Sequence, residues 1–383
     1  MTKYLILCYK ISLEKIFDWI AYKPPKKGIG IFLWVLLSPL YFLSLIYWVA
    51  VKTRLFLYSA DIIKAKKIGI KVVSVGNLTV GGTGKTPTVA LVAAIMHQRG
   101  LRVVVVSRGY KRKEVDSTEV VSDGKDILLT PEMAGDEPYM LAKKLKNVPV
   151  VVGADRYGAC LVAEKKFSPD LIILDDAFQH MRLHRDVNIL LIDGEKWFGN
   201  GMLFPRGPLR EPLSGLKRAD MILVTKVHSQ MPEKIRGIIR GNSDIPVYNS
   251  SYRAQGFVPL MKGDITGTEE FSGKKVAVIS AIANPSSFTG LLSSLGAIII
   301  FEESFRDHHH YKESELASFM DKAVNEGAEA VITTEKDAVK IAQLGEIDGL
   351  PICFLKISLD LAGKEESFID LIMRKAGIEE NEA

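Results

Sequence analysis

The residues from Lys71 to Pro87, KVVSVGNLTVGGTGKTP, have the types and spacing needed to grip a polyphosphate. A β-branched run (Val72, Val73, Val75) ends at Gly76, a glycine-rich turn follows (Gly81, Gly82, Gly84), and Lys85-Thr86 opens what reads as a helix. In that order, backbone N–H groups of the turn through Thr79, Val80, Gly81, Gly82, Thr83 and Gly84 wrap phosphate oxygens. Lys85 reaches the terminal phosphates, and the Thr86 hydroxyl holds magnesium. The usual G-x-x-x-x-G-K-[ST] spacing has glycine where this chain has Thr79. The extra Gly81-Gly82 pair offers the loop another path of close approach. The competing reading is a strand-to-helix turn with no ligand. Because strand, loop and helix context agree, the segment points to a bound nucleoside triphosphate.

The apolar run Leu171–Leu174 ends in two carboxylates, Asp175 and Asp176. Beside a phosphate loop, acids at the carboxyl end of a strand hold magnesium or its water shell; without one they are a solvated cap. Gln179 and His180 follow at once and face the same crevice in this reading. Gly135-Asp136-Glu137-Pro138 precedes a helix. There Asp136 or Glu137 either complements the helix dipole or accepts the proton of an attacking hydroxyl, and the residues alone leave both open. Asp307-His308-His309-His310-Tyr311 holds three of the seven histidines. Adjacent histidines rarely converge on one ion, so a loop histidine held by a carboxylate fits better than a metal site. A solvated polar loop is the plain alternative. Ser107-Arg108-Gly109-Tyr110-Lys111-Arg112 follows a strand at the end where ligands gather, and Arg206 and Arg210 lie in LFPRGPLREP. The guanidinium fork suits phosphate, although surface arginines are common.

Strands and helices must bring these residues together. A helix is expected over 87–99, with Pro87 in its first turn and Gly100 as a stop. Strand-like runs follow at Val103–Val106, Val148–Val152, Leu171–Leu174, Ile189–Ile192 and Met221–Val224. They are mostly continuous and apolar, as in parallel strands covered on both faces, and crossover-length connections separate most of them. The fold class is therefore α/β, a P-loop-type doubly wound, mainly parallel sheet. Residues 200–218, rich in Gly, Pro and Arg, read as a functional loop. A second alternation has strands at Lys275–Ile279, Ala297–Phe301, Ala330–Thr333 and Ile352–Leu355. The expected organisation is a membrane-associated helical segment (1–54), a P-loop domain (55–255), a linker (256–272) and a smaller α/β domain (273–383).

Charge is unevenly spread. Residues 1–71 hold twelve Lys or Arg against three acids, a net of +9, which leaves −4 on the remaining 312. A basic front end on a slightly acidic body points to a membrane surface, and nucleic-acid binding is disfavoured because the excess sits beside an apolar span. That span is the 24 uncharged residues between Lys27 and Lys52. As a helix it would run about 36 Å, against a hydrocarbon core of about 30 Å. Trp34, Tyr41, Tyr47 and Trp48 suit interfacial levels, and Pro39 would kink the helix, so an in-plane or re-entrant placement is an alternative. A buried core helix is the bland reading. A cleaved signal peptide is disfavoured by the late start and the lack of a small-residue cleavage site. Basic flanks at both ends give no orientation, but a nucleotide site places the bulk of the chain in the cytosol. Cys8, Cys160 and Cys353, odd in number and far apart, read as reduced thiols.

Together these segments resemble the tetraacyldisaccharide 4'-kinase family, the lipid A 4'-kinases of Gram-negative bacteria. The resemblance runs from about Gly28 to Leu355 through GNLTVGGTGKTP, SRGYKR, GDEP, VGADRYGA, DDAFQH, GPLREP, DHHHY and TTEKDAVK, in that order. Departures are Ala177, where the family has glycine, and Arg206, where it has a small residue. The resemblance implies transfer of the ATP γ-phosphate to the 4'-hydroxyl of a tetraacylated disaccharide 1-phosphate at the bacterial inner membrane, with the catalytic domains cytoplasmic. It further implies Asp136 as base assisted by His308, and Lys85 and Thr86 on the phosphates and magnesium. Asp175, Asp176 and Glu137 would also lie at the metal, and Arg108, Tyr110, Arg156, Gln179 and Arg210 on the substrate. ATP and Mg2+ are the implied cofactors, the lipid and the membrane the partners, with no obligate protein partner. The rival readings are a membrane-bound P-loop ATPase or GTPase switch without a lipid acceptor, and a scaffold with a degenerate loop.

Overall fold

The computed structural model describes residues 13–22, 30–109, 112, 117–227, 231–242, 245–261, 263–282, 284–306, 309–345 and 347–379. Tyr110, Asp307 and His308 therefore lie outside the described residues. The chain enters through helices α1 (Leu13–Tyr22) and α2 (Gly30–Ser59), and α2 continues through Pro39 as one element. Within it, Leu37–Ser59 is long and apolar enough to cross a membrane. Among the described side chains of that stretch only Ser44 and Val51 are buried, while Phe42 and Phe56 are more than 60% exposed. A core helix would hide those rings, so the bare face is a lipid-facing pattern.

The first sheet contains β1 (Lys71–Asn77), β2 (Val103–Ser107), β3 (Glu119–Ser122), β4 (Val150–Val152), β5 (Leu171–Asp175), β6 (Val187–Asp193), β7 (Met221–Thr225) and β8 (Val247–Asn249). Their order is β3-β4-β2-β5-β1-β6-β7-β8, all parallel except β3 against β4. Helices α3 (Lys85–Gln98), α4 (Pro131–Ala134), α5 (Asp136–Lys144), α6 (Arg156–Phe167) and α7 (Glu233–Asn242) accompany it. Alternation across the pleat decides the packing. Val73 and Val75 join Val89, Val92 and Met96 of α3 in one core, while Val72, Ile172 and Leu174 join Cys160 and Ala163 of α6 in another. Both faces are covered, which is why Val103–Val106 is an unbroken apolar run with no member more than 2% exposed. Each such side chain stabilises the fold by about 1.5–3 kcal/mol on burial. The register sets Val75 beside Asp175, so the phosphate loop and the acid pair leave the sheet at adjacent points.

The second sheet holds β9 (Ser251–Pro259), β10 (Lys275–Ser280), β11 (Ile298–Ser304), β12 (Ala330–Thr334) and β13 (Ile352–Asp360), in the order β11-β10-β12-β13-β9. Helices α8 (Pro285–Ser294), α9 (Glu313–Asn325), α10 (Glu335–Ile341) and α11 (Glu365–Ala376) complete the chain. Two boundaries differ from expectation. Residues 251–259, read as the end of one domain and the start of a linker, form an antiparallel edge strand paired along β13. Its polar composition hid it, and Gly256 (φ 144°) marks a shift in pairing where a side chain would collide with the Thr266 carbonyl. Helix α11, far along the second alternation, packs back on the first sheet. Phe368, Ile369 and Ile372 lie in the core with Val187 and Met96, and Asp370 accepts from Arg99 at 2.7 Å.

Candidate active site

The loop between β1 and α3 presents amides, not carbonyls, to the cleft. The Gly82 carbonyl accepts from Lys226 Nζ at 2.9 Å and the Thr83 carbonyl from Thr225 Oγ1 at 3.1 Å, so residues at the end of β7 hold the carbonyl side away. Among the described residues no protein acceptor takes the amides from Gly82 to Thr86, and the buried Thr83 hydroxyl is also without a partner. Gly84 starts α3 at φ 80° with no side-chain cap, which leaves the positive end of the helix facing outward. A side chain there would strike the Tyr252 hydroxyl of β9. Uncapped amides beside a buried hydroxyl fit a phosphate chain. The outer edge of the loop differs from expectation: the Val80 amide donates to the Pro208 carbonyl at 2.8 Å, and buried Thr79 pairs with Leu209. These two contacts anchor the loop, while Thr79 and Val80 still border the cleft.

Beside the loop stand the acids. Asp176, at φ 48°, lies 3.9 Å from Lys85 Nζ and accepts from Arg210 at 2.8 and 3.1 Å. Burial pushes its carboxyl up, but Lys85 and Arg210 outweigh it and hold Asp176 below the usual carboxylate range. Asp175 goes the other way. Its burial, then the nearby charges of Glu137 and Asp176, push it well up despite a 3.0 Å hydrogen bond from Ser107. One Asp175 oxygen is buried with no partner. A divalent cation near Asp175, Glu137 and the Thr86 hydroxyl would relieve that crowding, so the donor set fits magnesium. Among the described residues no three such ligands form a closed cage. An ion that keeps waters and binds substrate phosphates needs none.

Three expected substrate contacts have structural duties. Arg156, 3% exposed, donates to the carbonyls of Gly153 and Ala154 and, at 3.5 Å, of Asp175, bracing the end of β5 from below. Gln179 donates to the Asn77 carbonyl and to Glu211 at 2.7 Å, tying β1 to the 200–218 loop. Arg210 is engaged with Asp176, while Arg108 is exposed. Arg206, the departure in its motif, donates to the Ile20 carbonyl at the end of α1.

The second sheet forms the far wall. A cleft of about 250 Å³ lies between the loop and Tyr252, Ile282, Phe288, Leu291, Leu355 and Ile357. Asp136, the first residue of α5, pairs with Lys340 of α10 at 3.2 Å. The His309 ring stacks on Phe305 and its Nε2 lies 2.9 Å from Glu315, while His310 is exposed. Neither of these two rings is joined to Asp136.

The sequence profile described as tetraacyldisaccharide-1-P 4'-kinase (LpxK) matches residues 34–376. The tetraacyldisaccharide 4'-kinase of Geobacter metallireducens is 40% identical over 88% of this chain and 99% of its own length. The chain belongs to the tetraacyldisaccharide 4'-kinase family. The enzyme of that name from Halothermothrix orenii is 41% identical over 81% of this chain and 84% of its own. A crystal structure titled as the "apo" form of LpxK from Aquifex aeolicus in complex with ATP superposes with a TM-score of 0.71 at 32% identity, covering 90% of this chain and 99% of that one. Membership of the tetraacyldisaccharide 4'-kinases makes this chain a lipid A kinase, and it shares the family's α/β architecture.

Several residues of the site carry no motif in the sequence reading. Lys226 (φ 55°) bonds Asp193 at 2.6 Å as well as the Gly82 carbonyl, a strained conformation held at a functional loop. Asp193 and Lys226 each end or follow an apolar strand, the same signal that marked Asp175. Lys340 does stand in a quoted motif, TTEKDAVK, but inside a helix, where no strand end points to its duty.

Proposed function

We propose that this chain transfers the γ-phosphoryl group of ATP to the 4'-hydroxyl of a tetraacyl disaccharide 1-phosphate on the cytoplasmic face of the bacterial inner membrane. The observation that carries the reading is the row of unpartnered amides from Gly82 to Thr86, flanked by Lys85, the acid pair and Asp136. The amides, Lys85 and the helix dipole hold the triphosphate and offset charge on the transferred group. Asp136 takes the proton of the 4'-hydroxyl as its oxygen bonds to the γ-phosphorus, and the bond to the β,γ-bridging oxygen breaks with its electron pair leaving on ADP. Magnesium held by Asp175, Glu137 and Thr86 would neutralise the phosphate oxygens. Asp176, ion-paired to Lys85 and Arg210, orients the lysine. His308 stays a candidate to assist the base.

The lipid reaches this site from the bilayer side. Helix α2 is bolted to the loop that carries Arg210: Ser44 Oγ donates to the Leu203 carbonyl and Tyr47 OH to the Arg210 carbonyl at 2.8 Å. The tip of α1 touches the phosphate loop through Tyr22, whose hydroxyl lies 3.4 Å from the Val80 carbonyl. A four-chain lipid kept in the membrane thus meets an enzyme whose membrane helix is one residue-length from its phosphate machinery.

The test uses detergent-solubilised protein, γ-labelled ATP and the disaccharide lipid, against the same lipid lacking the 4'-hydroxyl. Label on the first lipid and none on the second is the expected result. Label appearing only as free phosphate with both would replace this reading by an ATPase.

A further inference from the structure

Lys340 closes the TTEKDAVK motif, to which the sequence reading gave no role. Its ammonium lies 3.2 Å from Asp136 Oδ2 and donates to the His309 carbonyl at 3.1 Å, and its side chain is 5% exposed. The helix that delivers it is firmly seated. Thr334 Oγ1 accepts from the Asp337 amide at 3.1 Å, and fully buried Asp337 accepts from the Ala281 amide at 2.9 Å. The lysine stem is therefore anchored in the second sheet, while its head stands at the first turn of α5, which packs on the first sheet. A second pair joins the same two helices in the opposite sense, Lys144 at the end of α5 with Glu335 at the start of α10, 3.2 Å apart.

The two pairs have different duties. Lys144–Glu335 joins the two helices at the edge of the cleft, with Lys144 also donating to the Ile357 carbonyl at 3.1 Å, and neither side chain bonds Asp136. Lys340 links the second sheet, the backbone of the histidine-bearing loop and one oxygen of Asp136. We propose that Lys340 is a positioning residue for phosphoryl transfer. It fixes the plane of the Asp136 carboxylate, and it does so only while the second sheet and α10 are closed on α5. Closing the cleft and setting the base then become one event. This rests on the reading of Asp136 as the base. Without the cation the carboxylate loses the contact that sets its plane and can rotate away from the reacting hydroxyl.

The experiment compares steady-state turnover and ATP KM in five detergent-solubilised forms, each checked for an intact thermal transition: wild type, K340M, K340R, K144M and D136A, together with the double variant D136A/K340M. K340M keeps the aliphatic stem and is expected to lower kcat about 100-fold with ATP KM within about 3-fold. K340R should recover to within about 10-fold of wild type, since it restores a cation at the same place. K144M, which borders the cleft but does not bond Asp136, should act on ATP KM more than on kcat, with kcat falling far less than in K340M. The double variant should be no slower than D136A, because Lys340 acts through Asp136. Near-normal kcat in K340M, losses that multiply in the double variant, or an equal loss in K144M would each overturn the proposal. If D136A itself turned over normally, the base assignment would fail first, and that outcome is distinct from any of these.

Discussion

Asp175 and Asp176 are chemical twins in adjacent positions, and their surroundings push them apart. Asp176 has Lys85 and Arg210; Asp175 has burial, Glu137 and its neighbour. A folded-state carboxyl raised above its unfolded value binds its proton more tightly in the native state, so its ionisation opposes folding at neutral pH. Asp175→Asn removes that ionisation. The variant is expected to lose turnover yet melt a few degrees higher than wild type at pH 8, with the gap shrinking as pH falls and closing only below about 4, where wild type becomes protonated in the unfolded state as well as the folded one. Calorimetric melting across about pH 3–8 checks it, and a variant less stable than wild type at pH 8 would contradict the assignment. Both aspartates were legible in the sequence because an apolar strand ended in them beside a glycine loop. Arg156 was legible as a site residue but not as a brace, since nothing in its neighbours shows that its guanidinium lies under β5. The role of Lys340, though not its motif, was illegible for a related reason: its partner is some 200 positions away, on a helix packed against the other sheet.

At the scale of elements, the continuous apolar strands announced themselves because sheets covered on both faces need them. Strand β9 did not, because an edge strand with one polar side carries a weak pattern. The apolar helix was plain from composition, but its docking was not. Helix α2 meets the protein through few contacts, and one is the hydrogen bond from Tyr47 to the Arg210 carbonyl. Phe204 adds a ring against Tyr47 at 6.4 Å and another against Phe17 of α1 at 6.0 Å. Tyr47→Phe keeps the ring and removes the bond, at a cost of about 1 kcal/mol. Because Arg210 faces Asp176, turnover is expected to fall about 3- to 10-fold in the same variant while ATP KM changes less. Initial rates in mixed micelles would show this, and an unchanged rate would mean that the membrane helix anchors the enzyme without steadying its site.

The described molecule is two sheets that meet over the phosphate loop, with α1 and α2 docked beside the first. The second sheet and its helices close the cleft: Tyr252 of β9 over Gly84, Phe288 and Leu291 of α8 in the apolar wall, and α10 on Asp136. The two-sheet architecture was read correctly as α/β, but the return of α11 to the first core was not, since an amphipathic helix does not say which sheet it will cover. Every duty assigned above depends on a triphosphate lying along the amides of Gly82–Thr86 with Lys85 at its far end. Titration calorimetry of Mg-ATP into the intact protein and into Lys85→Ala, in the same micelles, tests that most directly. One exothermic site in wild type, weakened at least about 10-fold in the variant, is predicted. No heat with well-folded wild type, or equal affinity in both, would contradict it.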